Sequence, residues 1–157
     1  MVDNRLAILP YYNDKSKLLK DLRKEDRKEL NAAAKHCGIK PHLVINSCVD
    51  KSEESWSIFY DTTLLGCAGV GKHPLDEQKG GVWLLSTKWA YKYPKSYIKA
   101  VKWLINRALE VFPAGVYTAT DAEYTTALKL NKILGFEKLE NSVIIGGREH
   151  FVYFKEK

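Results

Sequence analysis

Six basic side chains lie between Lys88 and Arg107 with no acid among them, the densest chemical signal in the sequence. Lys88, Lys92, Lys95, Lys99, Lys102 and Arg107 are interleaved there with Trp89, Tyr91, Tyr93 and Tyr97. Such a block is an electrostatic footprint for phosphate, on a nucleotide cofactor or on nucleic acid, or else a solvated basic face. A second surplus lies upstream: Lys15 to Lys40 holds nine Lys or Arg against four acids, so most of the net charge of +6 sits in one segment. Other reactive residue types lack a pattern. His36, His42, His73 and His150 show no metal spacing, and no Ser joins them in a nucleophile arrangement. Cys37, Cys48 and Cys67 are odd in number, share no C-x-x-C spacing and sit in apolar contexts. They read as reduced packing residues, with a reactive thiol as the alternative.

Chemistry of this kind needs a cleft, and the stretch from Gly80 to Phe136 predicts one. Val82 to Ser86 is continuously apolar, as in a central strand covered on both faces. Tyr97, Ile98, Val101, Leu104, Ile105, Ala108, Leu109 and Phe112 repeat at three and four, a helix of about four turns, and Pro113 and Gly115 end it. Val116 to Thr120 predicts a second strand, parallel to the first through a right-handed crossover. Thr125 to Leu134 predicts a helix capped by Asp121 or Thr125 and closed by Gly135. The two strands and the N-terminus of the first helix would enclose the cleft.

The remaining elements frame that unit. Arg5 to Leu9 reads as a strand stopped by Pro10. Asp14-Lys15-Ser16 starts a helix, and the alternating acids and bases from Asp21 to Leu30 place charges on an exposed helical face. Leu30, Ala33, Ala34 and Cys37 supply the buried side up to Gly38, as two helices or one bent one. Pro41 to Val49 fits strand or helix. Glu54 to Tyr60 and Leu64 to Gly71 form a hairpin whose glycines, Gly66, Gly69 and Gly71, mark a bulge or a close backbone approach. Lys72 to Gly81 reads as a polar loop, and strands near Phe136 to Ile145 and Arg148 to Lys155 flank Gly146-Gly147. At 157 residues, 45% hydrophobic and 28% charged, the chain predicts one domain, 1–157, with a real core. It has no apolar run long enough to span a bilayer, and Met1 to Arg5 does not resemble a secretory leader, which together predict an intracellular protein.

In order and spacing, a set of short motifs resembles the GNAT N-acetyltransferase superfamily. They are Asp21-Leu22-Arg23 with Asp26-Arg27 and Glu29, Gly66-Cys67-Ala68-Gly69-Val70, Gly81-Val82-Trp83-Leu84-Leu85-Ser86-Thr87, Asp121-Ala122 and Leu134-Gly135-Phe136. The likeness is closer to a group of tailed-bacteriophage proteins with this fold, the group that includes the internal virion protein A of T7-like phages. It spans nearly the whole chain. The resemblance implies an α/β (α+β) fold: a mixed, mostly antiparallel central sheet, helices on both faces, and one parallel strand pair forming a cleft. It also implies an acyl-CoA-dependent N-acetyltransferase acting on an amine, with acetyl-CoA as cofactor.

Carried over by position, Leu85, Ser86 and Thr87 would face pantetheine, and the turn before Tyr97 would face pyrophosphate, since helix N-termini offer unpaired N–H donors. That turn departs from the family pattern. Thr87 to Ser96 holds no glycine and carries Trp89, Tyr91, Tyr93 and Pro94, so Lys92, Lys95 and Ser96 would replace an amide cradle. Counting back from Gly135, the family's small residue falls at Ala127, its Asn at Tyr124 and its Tyr at Asn131, which cannot act as an acid. Tyr124 or Tyr117 would then serve as acid, and Asp121, Glu123 or Asp61 as general base, although each carboxylate also reads as a cap or turn residue. Asp121 and Tyr124 are carried forward as catalytic, and Leu85, Ser86, Thr87, Lys92, Lys95, Ser96 and Asn131 as cofactor-binding, with no metal. Two other classes stay open: a phage protein that keeps the fold for virion assembly or for gripping a host protein, and a nucleic-acid module built on Lys88 to Arg107. The partners are accordingly an amine substrate or a phage or host protein, and the location the host cytoplasm or the virion.

Overall fold

The computed structural model describes residues 4–12 and 14–157. Met1 to Asp3, on which most of the leader reading rests, and Asn13 lie outside the described residues. The strands are β1 (Leu6–Pro10), β2 (Ser52–Tyr60), β3 (Thr63–His73), β4 (Asp76–Ser86), β5 (Val116–Asp121), β6 (Glu137–Ile145) and β7 (Arg148–Lys155). They form one seven-stranded sheet in the order β1-β2-β3-β4-β5-β7-β6. Every neighbouring pair is antiparallel except β4 and β5. The helices are α1 (Lys15–Asp21), α2 (Lys24–Cys37), α3 (Pro41–Lys51), α4 (Pro94–Val111) and α5 (Thr125–Ile133). This is the mixed, mostly antiparallel sheet, with helices on both faces and one parallel pair, that the family resemblance implies.

The strand β4 shows why. Val82 and Leu84 pack into a cluster with Val101, Leu104 and Ile105 of α4, whereas Trp83 and Leu85 pack with Leu30, Val44 and Ile45 of α2 and α3. Successive side chains leave a strand on opposite faces, so a strand with helices on both sides has no position to give to water. Its apolar run is the mark of its central place. In α4 the residues at spacings of three and four, Tyr97, Val101, Leu104, Ala108 and Leu109 among them, are buried. Pro41 sits in the first turn of α3, where its missing N–H costs no hydrogen bond, and Val44 and Ile45 turn inward; this resolves Pro41 to Val49 as helix.

Close approach explains Gly69. A Cβ at that position would collide with the indole of Trp83, whose ring N–H donates to Ser52 Oγ at 2.9 Å. The register of β2 against β3 slips between Ile58 and Phe59, leaving Leu65 as a bulge residue. Its carbonyl accepts the Thr87 amide at 2.9 Å, and the Leu64 carbonyl accepts the Thr87 hydroxyl at 2.7 Å.

Four expectations give way. Lys72 to Gly81 is not a loop: β3 and β4 run through it as a hairpin, with Lys72 opposite Gly80, His73 opposite Asp76 and a register slip between them. Backbone pairing carries a strand past the core, where polar side chains are tolerated. Arg23 and Asp26 are buried rather than on an exposed face, because the start of α2 is laid across the sheet's end. Cys37 is exposed on the last turn of α2, whereas Cys67 is buried and its thiol is pushed up to about 12 by burial. The helix α5 has Tyr124 at its N-cap with no side-chain cap, and Asp121 instead accepts the Glu123 amide at 2.9 Å. Among the described residues no helix is long and apolar enough to cross a membrane, and no cluster of three or more His, Cys, Asp or Glu could hold a metal.

Candidate active site

The strands β4 and β5 pair at Gly80↔Val116 and Gly81↔Tyr117, and diverge beyond. From there β5 is held from its other side by β7, along its whole length. The divergence opens a cavity of about 270 Å³ between Val82, Leu84 and Leu85 on one wall and Thr118, Ala119 and Thr120 on the other. Its floor and roof are mostly apolar, including Leu104, Ile105, Leu130 and Leu134. Polar groups enter from the start of α2, as Arg23, Asp26 and Glu29, and from the α5 side, as Tyr124, Asn131 and His150.

The α2 residues repeat every third position, which places them along one side of the helix. Asp26 is the hub. Its Oδ2 accepts from Arg23 Nε at 2.8 Å and from the Tyr124 hydroxyl at 2.6 Å, and its Oδ1 accepts from the Ser86 amide at 3.0 Å. Burial lifts the Asp26 carboxyl above its usual range, although all three donors favour the ionised form. The Arg23 guanidinium lies over the rings of Tyr91, Tyr97 and Tyr124 at 5.1, 5.7 and 5.3 Å. Burial works against its charge, but Tyr97, Asp26 and Tyr124 outweigh that and raise its pKa.

Glu29 differs from its neighbours. It accepts the Asp121 amide at 2.9 Å, it is half-buried, and burial pushes its carboxyl up to about 7, with the Asp26 and Asp121 charges adding to the effect. A carboxyl that titrates near neutrality inside a cleft is suited to exchange protons with a ligand.

The residues singled out from the sequence divide into three groups. Leu85, Tyr124 and Asn131 line the cavity, and Asn131 Nδ2 donates to Thr120 Oγ1 at 2.9 Å. The Tyr124 hydroxyl is committed to Asp26, and burial raises its pKa well above the ordinary tyrosine value. Lys92 is exposed in the turn before α4, and Lys95 is exposed and Ser96 half-buried in its first turn. Ser86, Thr87 and Asp121 do not line the cavity, contrary to expectation. The Ser86 hydroxyl bonds to the Tyr97 hydroxyl, its amide serves Asp26, and its carbonyl accepts the Arg23 amide at 3.0 Å. Thr87 is turned onto the Leu65 bulge, and Leu22 bridges to it from the α1 side. Asp121 is ion-paired with Arg148; burial tends to raise its pKa, but Arg148 and the Glu123 amide hold it below the usual value. Such a carboxylate is a poor base. Arg23, Asp26 and Glu29 were not singled out as site residues; their threefold spacing is the available signal, and it is masked by the charges around it.

Acetyl-CoA, which the fold family implies, meets an uneven fit. The apolar walls and the stretch of β4 from Val82 to Leu85, paired with β3 on one side but not with β5 on the other, suit a narrow arm. In the turn after β4, Lys88–Tyr91 forms a 3-10 turn in which the Ala90, Lys92 and Tyr93 amides already donate to Thr87 and Trp89 carbonyls and so are not offered to a phosphate. Pro94 then opens α4 with no N–H. Charge at this point comes from the side chains of Lys92 and Lys95. Of the aromatics interleaved with the basic block, Tyr97 is buried, Tyr93 stacks on Tyr60 with centroids 4.1 Å apart, Trp89 donates to Asp21, and Tyr91 is exposed.

No family model matches the sequence, and no curated protein matches it. Solved structures do. The GNAT-family acetyltransferase of Bacillus anthracis aligns with a TM-score of 0.65 at 10% identity, over 99% of this chain and 97% of that one. The ribosomal-protein-alanine N-acetyltransferase of Brucella melitensis aligns at 0.68 and 14%, over 96% and 99%. The spermidine N-acetyltransferase of Vibrio cholerae, in complex with CoA and spermine, aligns at 0.66 and 11%, over 98% and 96%. At such identities the likeness shows a shared architecture, the GNAT fold.

Proposed function

We propose that the chain is an acyl-CoA-dependent N-acetyltransferase of the phage type acting on an amine, with Glu29 as the general base. The observation that carries this reading is the cleft itself, left open by the diverging strands and walled by a carboxyl that titrates at about 7. When bound, acetyl-CoA supplies an acyl carbon as a thioester. An amine is mostly protonated at neutral pH and attacks only after losing that proton. Glu29 in its ionised form accepts the proton, and the Asp121 amide holds the carboxylate in place. Asp121 therefore positions the base, and Tyr124 fixes Asp26. Leu84 and Leu85 would bound the pantetheine arm, Asn131 the inner end of the cleft, and Lys92, Lys95 and Ser96 the phosphates. The phage-type assignment rests on the resemblance in order and spacing of the motifs from Asp21 to Phe136.

One observation favours a second reading, a virion-assembly or host-protein-binding protein that keeps the fold. The N–H and C=O of Ser86, at the tip of β4, are already bonded to Asp26 and Arg23. A calorimetric titration with acetyl-CoA separates the two readings. Binding, followed by thiol release with an amine present, supports the enzyme; no heat at millimolar acetyl-CoA removes it. In the enzyme, Glu29→Gln keeps acetyl-CoA affinity and lowers kcat by about a hundredfold or more.

A further inference from the structure

We propose that Arg23 is a receptor for a carboxylate, so that the amine acceptor is one carrying its own carboxyl group, as a small amino acid does. The inference rests on the acetyltransferase reading for the word acceptor, but the receptor itself stands on geometry. Arg23 is 6% exposed and lines the cavity. Its Nε donates to Asp26, while Nη1 and Nη2 have no hydrogen-bond partner among the described residues. No side-chain nitrogen or oxygen sealed from solvent is left unpaired among those residues, so the two Nη groups are not sealed off, on a side chain that itself lines the cleft. A guanidinium carries five donors in a rigid plane, and its terminal pair matches the two oxygens of a carboxylate.

The surroundings select charge as well as shape. Tyr91, Tyr97 and Tyr124 present ring faces to the guanidinium and strip it of water, which strengthens any bond it makes to an anion. The cation is already opposed by Asp26, and Glu25 lies behind Tyr91, its carboxylate 3.4 Å from that hydroxyl. With the cation already opposed, each added negative charge is repelled by these carboxylates, so a monoanion is accepted more readily than a phosphate dianion. Glu29 faces the same cavity and feels the Arg23 charge. An acceptor with its carboxylate on Arg23 therefore brings its nitrogen toward Glu29, which a molecule with both groups on one short frame can do.

The test is a binding comparison without acetyl-CoA, so that it does not depend on turnover. N-acetylglycine, N-acetylglycinamide and inorganic phosphate are titrated separately into the full chain by calorimetry. The expected result is a preference of about tenfold or more for the carboxylate over its amide, with phosphate weaker than the carboxylate. Arg23→Lys keeps a cation beside Asp26 but loses the fork, and it is expected to abolish the preference while circular dichroism shows the fold intact. Equal affinity for carboxylate and amide, tighter binding of phosphate, or a preference untouched by Arg23→Lys overturns the receptor. Acetyl transfer to a neutral amine with no carboxylate preference would leave the enzyme reading standing and remove this one. The preference in a chain that never binds acetyl-CoA would do the reverse.

Discussion

Glu29 carries a cost that its surroundings impose and that pH reveals. Its carboxyl titrates near 4.5 when solvated and at about 7 in the folded chain, because burial penalises the charge. Between those values the folded state binds more protons than the unfolded one, so stability falls as pH rises. The contribution is fully present below about pH 4.5 and lost by about pH 7. Glu29→Gln removes the titration yet leaves an oxygen to accept the Asp121 amide. The variant is therefore expected to gain on the native chain as pH rises, by up to about 3 kcal/mol; thermal melts at pH 5 and pH 8 check this, and an unchanged gap would place Glu29 in water. Tyr124→Phe strips one donor from Asp26 and is expected to destabilise the fold by about 1–3 kcal/mol, measured by urea unfolding. Apart from the threefold spacing of Arg23, Asp26 and Glu29, none of this was legible in the sequence. Arg23, Asp26 and Glu29 sit among Lys24, Glu25, Arg27 and Lys28, and a run of mixed charge reads as a wetted surface. Only the sheet end, which comes from residues sixty positions later in the chain, buries that side of the helix.

At the scale of elements, what could be read was whatever one element decides alone. The periodicity of α4, the apolar run of β4 and the turn at Gly146-Gly147 each fix their own conformation locally. The stretch from Lys72 to Gly81 does not, because its extension depends on cross-strand bonds to a partner strand, and Pro74 with Gly80-Gly81 argues locally for a loop. The same dependence makes Gly69 a test of how β3 and β4 pack. Gly69→Ala drives a methyl into the Trp83 indole and is expected to cost about 1–3 kcal/mol, read from chemical unfolding. In a Trp83→Phe background the indole N–H and its bond to Ser52 are gone, and the same substitution is expected to cost less. Equal costs in both backgrounds would mean that the ring is not what excludes a side chain there.

For the whole molecule, the net charge of +6 is offset locally at several of its basic side chains. Lys88 is within 3.7 Å of Asp21, and Arg107 pairs with Glu54 and Glu110, so two members of the basic block are neutralised locally. The charge available to a phosphate at the start of α4 comes from Lys92 and Lys95. A Lys92→Glu, Lys95→Glu double variant is expected to weaken acetyl-CoA binding by about tenfold at low salt and by less as salt rises. Calorimetry across ionic strengths checks this, and an unaltered affinity would make both lysines a solvated face. The seam between β4 and β5 has a further consequence. Because the two strands pair only at Gly80 and Gly81, the sheet divides there into two leaves, β1 to β4 and β5 to β7, that share a short seam and the hydrogen bonds of Asp26 and Glu29. A molecule wedged between the leaves acts as a rivet. Its arrival should slow amide hydrogen exchange at Gly80, Gly81, Val116 and Tyr117, a record of occupancy written at residues the molecule never touches.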